Sequence, residues 1–375
     1  RNLPACTQCH GRGGNGIGAA FPGIAGQHAS YIKAQLQAWR SGSRANDPLG
    51  MMQTVAVALS EAEIDALAAH YAAQPPGPPT GAATGSPAVT AGAGVGAEEI
   101  HGGPLPRHDA PPAGREVDEQ GHFQPPLRSA ILDDRFGAAV RQGLEIFENT
   151  NAHPVSAKFV GNEQACGNCH IDAGRLADSA PLWAAWVAYP AYRTKNDKVN
   201  TYIERVQGCF KYSMNAQASA AGAPPAADSD SIVSLVAYSY WLATGAPTGD
   251  HRMPGRGYPR LNEAAEKPDA GRGEELYAQK CAICHGNGGQ GVLDSDGVTL
   301  FPPLWGATAY NWGAGMHRVD TAAAFIKHNM PLGLGDTLTE QEAWDLSQFI
   351  NSHERPQDPR FAGDLEETAR EFHSN

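Results

Sequence analysis

The sequence predicts a mainly α-helical chain built from three small, related domains, and three observations carry that prediction. The pentapeptide Cys-x-x-Cys-His occurs three times, at Cys6/Cys9/His10, Cys166/Cys169/His170 and Cys281/Cys284/His285. Each copy is followed downstream by a segment with helical hydrophobic periodicity. Two Gly/Pro-rich stretches divide the copies. Between Pro75 and Arg115 lie nine Gly and nine Pro and no aromatic residue. Such a stretch buries too little apolar surface to order itself and reads as a linker. The run from Gly245 to Lys267 marks a second boundary. The predicted layout is residues 1–74, a linker at 75–115, then 116–248 and 249–375. In a chain of 375 residues with 43 Gly, 28 Pro and 41% hydrophobic content, three small cores wrapped in loops fit better than one large core.

The elements follow in order. Ser60-Glu61-Ala62-Glu63 is a capping box that opens a helix carrying Ile64, Leu67, Ala68 and Tyr71 on one face. A helix from Ala138 to Phe147 precedes the second motif, and one from Arg272 to Lys280 precedes the third. The first motif has five residues ahead of it, so the corresponding helix is expected to be truncated or absent. Ile232 to Leu242 is apolar nearly all round, as a buried helix would be. Thr339-Glu340-Gln341-Glu342 is a second capping box, leading into Trp344, Leu346, Phe349 and Ile350. The longest apolar stretch, Ile232 to Ala246, is interrupted by Ser234, Ser239 and Thr244. It falls short of the roughly 20 residues of a membrane span. No signal peptide is visible, so any export sequence is expected to have been removed. Lys and Arg number 28 against 40 Asp and Glu, a net charge of −12, which argues against nucleic acid as the main partner.

Six of the seven cysteines belong to the three motifs. Each motif reads as covalent c-type haem attachment, giving three haem c groups. Two thiols on adjacent turns reach the two vinyl groups of one porphyrin, and the next residue, His10, His170 or His285, supplies imidazole to the iron. A thioredoxin-like redox pair does not require the following histidine, and a zinc site needs further ligands at matching spacing. Attachment of c haem takes place outside the cytoplasm, so the protein is expected to be exported, to the periplasm. Phe21-Pro22-Gly23-Ile24-Ala25-Gly26 and Phe301-Pro302-Pro303-Leu304-Trp305-Gly306 follow the first and third motifs. Both segments resemble class I cytochromes c, in which the proline carbonyl accepts a hydrogen bond from the haem histidine. The middle segment has only Ala180-Pro181-Leu182, so a modified haem domain is expected there.

A second axial ligand sets the reactivity of each haem. Met51 and Met52 lie between the Phe-Pro segment and the closing helix of the first domain, and Met52 is favoured, with the other packing as core. In the third domain Met330 leads over Met316, His317 and His328, because Pro331 keeps it in an extended loop able to point at an iron. In the middle domain Met214 is the only methionine in an equivalent region, and Cys209 is the one unpaired thiol. A lone cysteine is more often a buried small hydrophobe. Here five cations (Arg193, Lys195, Lys198, Arg205, Lys211) and two anions (Asp197, Glu204) lie between Pro190 and Tyr212. The local excess of three positive charges marks a candidate anion site and favours thiolate over thiol, against the alternative of a solvated helix face.

The runs Cys166-Gly167-Asn168-Cys169-His170, Arg205-Val206-Gln207-Gly208-Cys209-Phe210-Lys211-Tyr212-Ser213-Met214-Asn215 and Asn329-Met330-Pro331-Leu332-Gly333 resemble the dihaem thiosulfate dehydrogenases over about Phe123 to His353. Residues 1–74 resemble the small monohaem cytochrome that serves such enzymes as electron acceptor. The resemblance implies a natural fusion of carrier and enzyme, joining two thiosulfates into tetrathionate. It implies Cys209 as the distal ligand of the active-site haem, with Ser213, Arg205 and Arg193 lining the substrate pocket and Lys211 contributing charge. Some members exchange a lysine for the methionine of the second haem on reduction. Here Asn329 stands just before Met330, and Lys327 would have to reach differently. A downstream redox protein or terminal oxidase is the implied final partner. Two alternatives stand beside this reading. A non-catalytic trihaem carrier would leave Cys209 and the basic cluster without a task, and another dihaem enzyme, of tetrathionate reductase or peroxidase type, would use the site differently.

Overall fold

The computed structural model describes residues 3–18, 20–77, 117–193, 196–294 and 297–373. Nearly all of the predicted linker, and Lys195 of the basic cluster, lie outside these residues. The fold is mainly helical. In the first domain, α1 (Cys6–His10), α2 (Ala29–Arg40), α3 (Met51–Ala58) and α4 (Glu61–Ala73) surround one small core. The expected capping box opens α4: the Ser60 hydroxyl accepts from the Glu63 amide at 3.3 Å, and the Glu63 carboxylate accepts from the Ser60 amide at 2.7 Å. Ile32, Leu36 and Trp39 of α2 then meet Ile64, Ala68 and Tyr71 of α4.

The middle domain comprises α5 (Arg135–Glu148), a short turn α6 (Ile171–Gly174), α7 (Leu182–Val187), the strands β1 (Ala191–Arg193) and β2 (Lys198–Asn200), α8 (Tyr202–Tyr212) and α9 (Asp230–Leu242). The strands form an antiparallel hairpin with Tyr192 opposite Val199. Helix α9 buries Ile232, Leu235, Tyr238, Trp241 and Leu242 but leaves Val233 and Tyr240 exposed, so its apolar character exceeds its burial. The third domain holds α10 (Ala270–Lys280), α11 (Ala282–His285), the strands β3 (Val292–Leu293) and β4 (Thr299–Phe301), α12 (Val319–Asn329), α13 (Glu340–Asn351) and α14 (Leu365–Phe372).

One packing solution is used twice. The helix before the motif crosses the closing helix at a glycine, in α5/α9 and again in α10/α13. A Cβ on Gly143 would stand 2.1 Å from the Ser234 carbonyl oxygen, and one on Gly273 would stand 2.1 Å from that of Asp345. Only glycine allows the two backbones to approach so closely. The crossing is then locked at Asp345, which is buried and accepts from Arg272 Nε at 2.7 Å and Nη2 at 2.9 Å.

The three domains pack on one another. The run after α9 belongs first to the middle core, where Met253 is buried and the carbonyls of Gly255 and Gly257 accept from the Asp178 and Ala180 amides, each at 2.8 Å. Tyr258 and Leu261 already pack in the third core, so the change of packing along the chain falls near Gly257. Buried polar bonds join the middle and third domains: Gln164 donates to the Pro303 carbonyl at 2.7 Å, and Asn311 to Asn215 at 3.0 Å. The first domain docks on the third through an apolar cluster of Ile17, Phe21 and Phe301, with the two phenyl rings 5.4 Å apart.

Because the α5/α9 crossing has no room for a methyl group, Gly143→Ala should cost about 1–3 kcal/mol or more through overpacking. Thermal unfolding of the purified variant should show a clear drop in Tm. An unchanged Tm would mean that the helices can separate without penalty.

Candidate functional site

Each motif lies on the wall of an apolar cavity. The first is lined by Cys6, Cys9 and His10 together with Trp39, Met51 and Met52. The second is lined by Cys281, Cys284 and His285 together with Met316 and Met330. The third is lined by Cys166, Cys169 and His170 together with Arg205, Cys209, Ser213 and Met214. In all three the histidine is oriented the same way. His10 Nδ1 donates to the Pro22 carbonyl at 2.7 Å and His285 Nδ1 to that of Pro302 at 2.9 Å. His170 Nδ1 donates to Ala180 at 2.7 Å, the carbonyl before the proline, and Ala180 adopts φ +49°. With Nδ1 carrying the proton, Nε2 is left as a lone-pair donor. Burial lowers the pKa values of His10 and His285 and keeps both imidazoles neutral, against the opposing pull of the proline carbonyls. Paired thiols beside such an imidazole, in an apolar cavity with a sulfur ligand available, are the donor set a covalently attached haem requires.

Helix α8 builds the distinctive third cavity. Thr201 and Glu204 cap it reciprocally, with Glu204 accepting the Thr201 amide at 2.7 Å. Arg205, Cys209 and Ser213 follow at intervals of four and share one face. Phe210 and Met214 are turned into the middle core, and Asn215, at φ +50°, ends the run by accepting from Asn311 of the third domain. The Ser213 and Ala309 carbonyls are both bonded by Asn162, at 2.7 and 3.1 Å. This bridging residue gave no signal in the sequence, since its partners lie far along the chain.

Arg205 Nη1 donates to Cys209 Sγ at 2.7 Å. Burial alone would push this thiol up. The Arg205 guanidinium foremost, with His170 and the charge of Arg193 adding to it, reverses that and brings it down to about 6. Cys166 and Cys169 share the burial without the cations and are pushed up to about 12. The pKa of Arg205 is raised, chiefly by the Cys209 charge. That of Arg193, at the end of β1, is lowered by burial and by Arg205. Arg205 therefore touches the thiolate, while Arg193 does not line the cavity and acts on it through its charge alone, and the two cations together exceed the one negative charge.

The other cations of the cluster are engaged elsewhere. Lys198 bridges to Glu204 at 2.6 Å and ties the hairpin to α8. Lys211 lies 5.4 Å over the Tyr212 ring and does not line the cavity. In the third domain, Lys327 and His328 both bind Asp336, at 3.2 and 2.8 Å, and neither lines the cavity that Met330 lines. Met330 is extended at the end of α12. Of the adjacent methionines, Met52 packs into the core of the first domain, whereas Met51 joins the docking cluster with Phe21 and Phe301.

Comparison with known proteins bears directly on this geometry. A thiosulfate dehydrogenase of Stutzerimonas stutzeri is 52% identical over 257 residues, which are 68% of this chain and 80% of that protein. The chain belongs to the thiosulfate dehydrogenase family. A solved thiosulfate dehydrogenase of Marichromatium purpuratum matches all of this chain and 71% of its own, at 50% identity and a TM-score of 0.85. A thiosulfate dehydrogenase electron acceptor of Thiomonas intermedia is 50% identical over 78 residues, 21% of this chain and 36% of that protein. Residues 4–71 match the family described as cytochrome c, and residues 268–350 the family described as cytochrome C oxidase, cbb3-type, subunit III. Haem c is covalently bound, and three attachment sites accord with an acceptor cytochrome joined to a dihaem dehydrogenase. A pyridine haemochrome assay should return three haems per chain, and a value of two would remove one domain from the scheme.

Proposed function

We propose that this chain oxidises thiosulfate to tetrathionate at the Cys209 cavity and passes the electrons to its own N-terminal cytochrome domain. The contact that carries the reading is the 2.7 Å bond from Arg205 to Cys209 inside the cavity that His170 also lines. The reaction joins two S2O3 dianions through a new S–S bond and releases two electrons. The haems, when bound, supply the one-electron acceptors. Two dianions about 5 Å apart repel by roughly 13 kcal/mol at an effective dielectric near 20. Arg205 and Arg193 meet that repulsion with fixed positive charge held in a desolvated site, where it acts most strongly. His170 and Cys209 would hold the haem iron in this cavity, and Ser213, one turn on, offers a hydroxyl on the same wall. Met52 and Met330 are the sulfur ligands we assign to the first and third domains.

The order of the domains in space supports a route of transfer. Cys169 lines the third-domain cavity as well as its own, and Cys284 lies in one cluster with Cys9 of the first domain. The middle site is thus connected to the third, and the third to the first. We place the protein in the periplasm, where c-type attachment occurs, with a downstream redox protein or terminal oxidase drawing electrons from the first domain. Among the described residues no helix is long and apolar enough to cross a membrane.

Cys209→Gly should nearly abolish thiosulfate oxidation with an artificial acceptor while all three haems stay attached, because attachment uses only the six motif cysteines. The spectrum should lose one low-spin signal. Arg205→Ala should keep that signal and raise KM about ten- to a hundredfold, the equivalent of losing about 1.5–3 kcal/mol from a charged hydrogen bond. A Cys209→Gly protein with normal turnover and an unchanged spectrum would return Cys209 to the role of a core residue. Assays with tetrathionate and with peroxide on the same preparations separate the reverse reaction and the peroxidase alternative.

A further inference from the structure

Arg355 follows α13 and is 6% exposed. Its guanidinium is sandwiched near two rings, 4.3 Å from the centre of Tyr310 and 4.9 Å from that of Trp312. Nη2 donates to the Ile350 carbonyl at 3.0 Å, but Nε and Nη1 are buried with no hydrogen-bond acceptor among the described residues. The acids nearby along the chain do not serve it. Glu354 is exposed, and Asp358 is held by Arg360 at 2.6 Å and His373 at 3.0 Å. A buried guanidinium with two idle nitrogens is strongly unfavourable unless an anion meets it.

The geometry points to that anion. Of the three residues that touch the guanidinium, Tyr310 and Ile350 line the cavity of Cys281, Cys284 and His285, which places Arg355 directly behind that wall. Among the described residues that line this cavity the one lysine or arginine, Lys280, is already bound to Glu342 at 2.8 Å. A haem attached there through its vinyl groups and its iron still carries two carboxylates, and nothing else on this wall neutralises them. We propose that Arg355 anchors a propionate of the third-domain haem, pairing its idle nitrogens with a carboxylate in charge-assisted hydrogen bonds. A fixed positive charge beside the haem favours the reduced state, so Arg355 raises the potential of this haem and makes it a better acceptor from the middle domain. The inference rests on the reading of the third motif as a haem site.

Three full-length proteins test it: wild type, Arg355→Gln and Arg355→Lys. Haem content is measured first, and three haems per chain are expected in all, since attachment is covalent; two in wild type would sink the third-site reading itself. Spectroelectrochemical titration of Arg355→Gln should lower one midpoint potential and leave the other two in place, and resonance Raman should show a shifted propionate bending mode. Arg355→Lys should recover most of the potential, because the charge remains, while still shifting the mode, because the planar fork is lost. If Arg355→Gln does not fold, the Raman comparison of Arg355→Lys with wild type decides alone. Three haems with unchanged potentials and an unchanged propionate mode would overturn the proposal.

Discussion

The hydrogen bond from a motif histidine to a backbone carbonyl organises each third of this molecule. The motif alone brings two thiols and an imidazole together, but an imidazole free to rotate has no defined face. The carbonyls of Pro22, Ala180 and Pro302 remove that freedom and settle which nitrogen is left to bind iron. The loop carrying each carbonyl must return to the motif, and that return closes the cavity. In the first and third domains a proline supplies the carbonyl within a Phe-Pro pair. In the middle domain the carbonyl comes one residue earlier, from an alanine in a left-handed conformation. The shift accompanies a changed opposite wall, where α8 presents Cys209.

Seven cysteines in one chain come to two chemical ends through their neighbours. Cys166, Cys169 and Cys284 are desolvated with no cation acting on them, Cys281 with only the weaker pull of Lys280, and all four are pushed up to about 12. Cys209 is equally deep but sits against Arg205 and within the field of Arg193, and is brought down to about 6. Burial sets the cost of charge, and the guanidinium groups determine whether it is met. The same cations that favour the thiolate remain in net excess over it, which suits a cavity meant for anions. In the proposed reaction one helix face would serve a sulfur ligand and an anionic substrate together.

Features governed by near neighbours in the chain were legible in the sequence. The capping boxes at Ser60 and Thr339 are reciprocal bonds across three residues, so a pattern of two side chains announces them. Arg205 and Cys209 stand four apart on a helix, which places them on one face before any tertiary contact is known. Charge counting was coarser. The cluster's excess of positive charge includes Lys198, which Glu204 takes up, and Lys211, which lies on Tyr212. A sum over a segment cannot tell a cation in a cavity from one spent on a neighbour. Asn162 and Arg355 were silent because their contacts are with partners distant in sequence, and the Ala180-Pro181-Leu182 segment signalled a modified domain without revealing the loop conformation that turns the Ala180 carbonyl to His170. The glycines at the helix crossings were equally quiet, since a glycine within a helical pattern announces nothing until the second backbone arrives.

The docking of the carrier domain follows from the same repeat. Phe21 and Phe301 each precede the proline whose carbonyl holds a motif histidine, and each presents its ring to the other across the interface. The residue that builds the contact is therefore covalently next to the residue that orients the imidazole, on both sides. A ring pair of this kind contributes only about 0.5–1.5 kcal/mol beyond its buried area, too little for a lasting complex between separate proteins. Covalent linkage changes that requirement. A partner tethered on the same chain is present at an effective concentration near millimolar, so a weak contact is occupied most of the time and still exchanges quickly. A carrier that must accept electrons from one side and release them on the other benefits from both properties. The small apolar patch and the long Gly/Pro-rich linker are in this sense two parts of one solution, in which the linker supplies the encounter and the phenylalanines supply only its orientation.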